Sequence, residues 1–224
     1  MVTIDLTVHD IQVIAALGHD DVQVRLKAAL AAGTHPTPVL LDHLIERCAV
    51  EPDGNVRDTL SWALLRQPAE LTLPRLRAEL DSERNQARSQ ALHTLSKIGD
   101  ERAWPWITLD MLRDPDDDVA KTACRAAAAL VPAGHESALV EELVRRLGRG
   151  SDDLRLAVSR ALVHLGEVSA PALRRAVEHP DTEVAVHARA TELLLAKPGI
   201  HFDTAIHEAK GDIYLARLAR PTDD

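Results

Sequence analysis

The sequence predicts an all-α protein, a right-handed α-solenoid of about six two-helix repeats with a C-terminal helical cap. Three observations predict it. The composition holds 34 Ala and 32 Leu against five aromatic residues in 224, and Ala and Leu form helices where strands draw on β-branched and aromatic residues. An apolar pattern of helical spacing returns at intervals of 30 to 35 residues. A second pattern, led by proline in four of its instances, precedes it.

The recurring pattern is an acidic turn, an apolar anchor, then small or apolar residues four, seven and eight positions later. The anchors are Val22, Val56, Ala87, Val119, Leu154 and Val184. These offsets mark one face of a helix. Ahead of each anchor comes Pro, an apolar residue two positions on and another at six, as in Pro38/Leu40/Leu44, Pro74/Leu76/Leu80, Pro105/Ile107/Met111 and Pro171/Leu173/Val177. The fifth unit keeps Leu139 and Leu143 but has Ser137 in the proline slot. Proline suits a helix's first turn, where its missing N–H has no partner to lose.

Each unit is therefore a helix A, a turn and a helix B. The A helices fall near 7–17, 37–50, 70–80, 102–113, 136–148 and 168–178, and the B helices near 20–32, 55–66, 84–98, 117–130, 152–165 and 182–196. One hairpin cannot bury its own apolar face, so neighbours stack. The whole chain, 1–224, reads as one repeat domain with units at about 7–33, 36–66, 69–98, 101–131, 135–166 and 168–196, and a cap at 200–220.

Net charge is −9, which disfavours nucleic acid as a partner, because phosphate neutralisation supplies most non-specific affinity. Positive charge is carried by 21 Arg against 5 Lys, the type suited to bidentate pairing. Cys48 and Cys124 share no metal spacing and read as buried free thiols. The N-terminus lacks an apolar signal region and no run of 18 apolar residues occurs, so a cytoplasmic location without membrane spans is expected.

The repeated D-x-x-V-R-x-x-A-x-x-A-L, preceded by P-x-L-x-x-x-L, resembles the short HEAT repeats of the phycobilin-lyase-like type over residues 7–196. The segments VRDTLSWAL, ARSQALHTLSKIGD and AWPWITLDML also resemble bacterial HEAT-repeat proteins of unsettled activity, some of which follow a MerR-type DNA-binding domain. The repeat begins almost at residue 1, so the resemblance is expected to be to the sensor or docking half alone.

The resemblance implies that B helices line a concave groove. Six residues after each anchor come Ala28, Trp62, His93, Arg125, Arg160 and Ala190; two residues after come Val24, Asp58, Ser89, Lys121, Leu156 and Val186. The central repeats thus offer Asp58, Trp62, Ser89, His93, Lys121, Arg125 and Arg160 as a binding surface. Two readings of it stand: a ligand-contacting groove, or a Trp62 half-buried against Leu65 with the arginines paired to nearby acids. Arg57, Arg88 and Arg155 follow their anchors directly. The resemblance implies a structural ladder, in which they pair with turn acids such as Asp53, Asp118 and Asp153.

No metal or other cofactor is expected. The His135-Glu136 and His207-Glu208 pairs occupy different repeat positions, unlike the four pairs that hold iron in HEAT-repeat hydroxylases of the deoxyhypusine type. Trp104-Pro105-Trp106 reads as packing for a neighbouring A helix, with an outer docking knob as the alternative. GRGS at 148–151 reads as a turn, since no strand precedes it.

The function expected is non-catalytic binding of a protein or peptide, with Arg125, Arg160 and Lys121 favouring an acidic or phosphorylated segment and Trp62 as apolar anchor. The alternatives are a HEAT-like alkylpurine DNA glycosylase, for which Asp58 and Trp62 share a helix face, and a tetrapyrrole lyase or chaperone.

Overall fold

The computed structural model describes residues 6–219. Helices take up 76 % of them, with no strand among the described residues. The chain falls into two compact units, one ending at Trp106 and the other beginning at Ile107.

The first unit is three hairpins: α1 (Val8–Leu17) with α2 (Val22–Thr34), α3 (Leu41–Val50) with α4 (Gly54–Leu65), and α5 (Ala69–Glu79) with α6 (Asn85–Ile98). Successive second helices pack directly, α2 on α4 and α4 on α6, and the first helices follow, α1 on α3 and α3 on α5. The second unit repeats the plan with α7 (Leu109–Leu112) and α8 (Asp117–Leu130), α9 (Glu136–Val144) and α10 (Asp152–His164), α11 (Ala170–Val177) and α12 (Thr182–Ala196). There α8 packs on α10 and α10 on α12, and α13 (Phe202–Leu218) lies along α12. The seam of that last contact is Ala185, Ala190 and Leu193 against Ala205, Ala209 and Ile213.

The predicted fourth A helix, 102–113, is broken. A 3-10 turn over Glu101–Trp106 contains Pro105, and α7 starts afresh behind Thr108, whose side chain accepts from the Met111 N–H. The boundary between the units falls inside this break. Only Pro38 and Pro171 behave as first-turn prolines; Pro74 sits inside α5.

Five of the six anchors, Val56, Ala87, Val119, Leu154 and Val184, are buried. Val22 is only partly so, and the residues after it show that the register of α2 differs. The caps Asp53, Arg84, Asp116, Ser151 and Asp181 each precede the anchor by three residues. The cap of α2 is Asp21, which makes Val24 its anchor and puts the buried Ala28 and Ala32 at the packing offsets four and eight. DDVQV offers two valines and two aspartates, and periodicity alone cannot choose between them.

Arg25 then falls at the position of Arg57, and the two act alike. Arg25 Nη1 donates to the His19 and Asp20 carbonyls, Arg57 Nη1 to those of Glu51 and Pro52, and Arg88 Nη1 to those of Ser82 and Glu83. These arginines close the carbonyls of the preceding turn. Arg155 does so at Gly148 and also meets the Glu183 carboxylate. The carboxylates expected in the ladder have other work: Asp53 caps α4, Asp118 pairs with Lys121, and Asp153 lies 3.8 Å from Lys121.

The first unit is stapled at Glu51, which has no exposed surface. Arg25 Nε and Nη2 donate to its two oxygens at 2.8 Å, and Arg47 Nε and the Asp53 N–H add further bonds. Burial alone would push this carboxyl up; the bonds from Arg25, Asp53 and Arg47 outweigh it and bring it down to about 2. Gln86 of α6 donates to the Cys48 and Glu51 carbonyls, so all three hairpins meet at this point. Burial also pushes the Cys48 and Cys124 thiols up to about 12, so both stay protonated and inert.

Leu60 is wholly buried, while Leu30 on the neighbouring helix is 46 % exposed. Leu60→Ala is expected to cost about 2–5 kcal/mol in denaturant titration, and Leu30→Ala well under half of that. Equal losses at the two leucines would show that the packing register is wrong.

Candidate functional site

The corrected register changes the composition of the first unit's surface. Six residues past the anchors now come Leu30 on α2, Trp62 on α4 and His93 on α6. Leu30 and Trp62 are exposed and His93 is partly buried. Trp62 is 42 % exposed because its ring lies on α2 at Gly33: a Cβ placed there would come within 2.1 Å of Cζ3. Leu30 is three residues before Gly33 and shares its face; Leu65 is three after Trp62 and is exposed too. The ring rests on the glycine backbone of α2.

Asp58 sits one turn before Trp62, and its Oδ1 is 3.8 Å from His93 Nε2 on the next helix. Ser89 is buried and does not join the open face. The structure therefore brings together Leu30, Trp62, Asp58 and His93 on the first unit. Leu30 escaped the sequence reading through the two-residue slip; the cap-to-anchor spacing and the arginine after the anchor are the signals that find it.

The second unit carries the cations. Lys121 is engaged by Asp118 at 2.5 Å. Arg125 on α8 and Arg160 on α10 are exposed at corresponding positions of two packed helices, and neither has an ion-pair partner among the described residues. Arg160 borders an open cleft of about 710 Å³, with Leu156, Val163, Ile200 and Phe202 along it and Asp152, Asp153 and Asp203 among its lining.

One buried pair resembles a nucleophile and its base. Ser159 Oγ lies 2.9 Å from His187 Nε2. The ring's other nitrogen accepts the Gly148 N–H at 2.9 Å, which places the proton of the neutral ring on Nε2. That proton is directed to Ser159 Oγ and to the Arg155 carbonyl at 3.1 Å. Ser159 passes its own to Thr191 Oγ1, and Thr191 donates to the His187 carbonyl. The histidine thus donates to the serine and cannot deprotonate it. This closed network locks α10 to α12 and fixes the 148–151 turn. Burial pushes His187 down to about 4. Gly148, at φ +75, has no room for a side chain: a Cβ would meet the Val184 backbone nitrogen at 2.8 Å.

His135 precedes α9 without capping it, and His207 is exposed on α13. No group of three His, Cys, Asp or Glu converges among the described residues. Trp104 and Trp106 are partly buried, and the Arg77 guanidinium lies 5.4 Å over the Trp106 ring.

No family model matches the chain, and no curated protein does. Among solved structures it is similar to an engineered protein, at 19 % identity over 91 % of this chain and 96 % of that one, with a TM-score of 0.45. It is also similar to the complex of CpcE and CpcF of phycocyanin lyase from Nostoc, at 16 % identity over 94 % and 96 %, with a TM-score of 0.47. Neither likeness bears on what this chain does.

Two expectations follow from the geometry. Gly33→Ala should lift the Trp62 ring off α2, so that acrylamide quenches its fluorescence more strongly in a variant retaining only Trp62; unchanged quenching would mean that the ring does not rest there. His187, ordinarily near 6.5, is held near 4 in the fold. Between those values the unfolded chain binds a proton that the folded one refuses, so stability falls as pH drops, by about 1 kcal/mol per pH unit. His187→Gln should flatten the stability profile between pH 6.5 and 5, and a slope equal to wild type would show that the ring is not held neutral.

Proposed function

We propose that the protein is a non-catalytic binding module that recognises another protein through the second helices of its hairpins. The observation that carries this reading is the exposed apolar pair Leu30 and Trp62 on two packed helices of the first unit, with Leu65 beside them. A tryptophan held flat on a helix loses little freedom on binding and buries a large surface, the usual character of an interface anchor. On the second unit, Arg125 and Arg160 offer fork-shaped donors that pair with no carboxylate among the described residues, which suits an acidic or phosphorylated stretch of the partner.

The test is capture of interacting proteins from cell extract, followed by calorimetric titration of the captured partner. Trp62→Ala should weaken binding by about 2 kcal/mol or more. Arg125→Glu with Arg160→Glu should weaken it further and make the remainder less sensitive to salt. Circular dichroism identical to wild type would show that both variants fold. Wild-type affinity in both would remove the second helices from the interface.

A further inference from the structure

A cleft of about 370 Å³ opens in the second unit among α9, α11 and the turns that follow them. Its apolar lining is Val144, Leu147, Ala172, Ala176 and Val184. Its polar lining is Arg145, Arg149, Arg175 and His179, with Glu141 as its one carboxylate. In a chain of net charge −9, this concentration of guanidinium groups around a small apolar hollow stands apart.

The cations are partly fixed in place. Arg175 Nη2 pairs with Glu141 Oε1, and Arg145 Nη1 pairs with Glu142 Oε1 on the adjoining turn of α9. Each guanidinium carries five N–H groups, so both retain donors. Arg149 is exposed, with no ion-pair partner among the described residues. His179 Nδ1 accepts the Asp181 N–H at 3.1 Å, which puts the proton of the neutral ring on Nε2 as a further donor. With Glu141 paired to Arg175 and Glu142 to Arg145, Arg149 is left as the uncompensated cation of the lining, with the spare N–H groups of the other two guanidiniums beside it.

We propose that this cleft binds a small phosphate monoester whose apolar body lies on Val144, Ala176 and Val184 while its phosphate is gripped by Arg149 and Arg175. The volume lies in the range of small-ligand pockets, and a fork-shaped donor matches phosphate oxygens two at a time. The site is lined by α9, α11, the turns beyond them and Val184 of α12, and includes none of Trp62, Arg125 and Arg160. Loss of one activity therefore leaves the other testable.

Phenyl phosphate, inorganic phosphate and a short phosphotyrosine peptide serve as probes in calorimetric titration at low salt. Phenyl phosphate should bind saturably at one site per chain, and more tightly than inorganic phosphate, which has no apolar body. Arg149→Ala should lower its affinity about tenfold, the cost of one charge-assisted contact. Arg149→Ala with Arg175→Ala should abolish binding, with the circular dichroism spectrum and melting temperature confirming the fold. Absence of saturable binding by phenyl phosphate, or wild-type affinity in the double variant, overturns the proposal. Binding of the phosphopeptide alone overturns it in favour of a protein partner.

Discussion

The close approach of neighbouring second helices is the constraint on which the rest of the structure depends. Ala28 and Ala32 on α2, Ala123 and Ala127 on α8, and Ala157 and Ala161 on α10 are all buried, and none carries more than a methyl group. Short side chains let helix axes come near, and close axes let polar groups on adjacent helices meet directly. Ser159 reaches Thr191 at 2.8 Å, and Ser61 reaches Thr94 at 3.4 Å, both buried. A hydroxyl left without its partner in this dry interior would cost about 1–3 kcal/mol.

The two units solve the buried-polar problem with different chemistry. The first uses charge, a carboxylate with two guanidiniums and a backbone N–H. The second uses a neutral ring and two hydroxyls. Glu51 stays ionised until pH falls well below the ordinary carboxylate range, whereas His187 is opposed by every proton it would otherwise accept below neutrality. Mild acid therefore loosens the second unit before it touches the staple of the first, and the two need not unfold together.

The helical class, the repeat and five of the six anchors were legible because they rest on periodicity, which repetition reinforces. The first anchor was not, because Val22 and Val24 both fit an apolar slot and only the cap chooses between them. The broken fourth A helix was hidden for a similar reason: Pro105 fits a first-turn proline slot as well as it fits the 3-10 turn it occupies. Of the surface residues, Trp62, Asp58 and His93 were found from offsets along a helix, while Ser89 was misplaced because burial depends on the neighbour's side chains. The arginines read as structural, but each donates to a carbonyl of the preceding turn, and carbonyls leave no mark in a sequence. The Glu51 staple and the His187 network join residues 26 and 28 positions apart with no shared motif.

The seat of Trp62 on Gly33 binds the histories of two positions 29 residues apart. A larger residue at 33 unseats the ring, whereas a smaller residue at 62 disturbs nothing on α2 and frees 33 to change. Substitution here has a direction. Once the ring is lost and a side chain grows into its place on α2, regaining tryptophan requires reversing both steps in order, so this exposed aromatic surface is easier to lose than to rebuild.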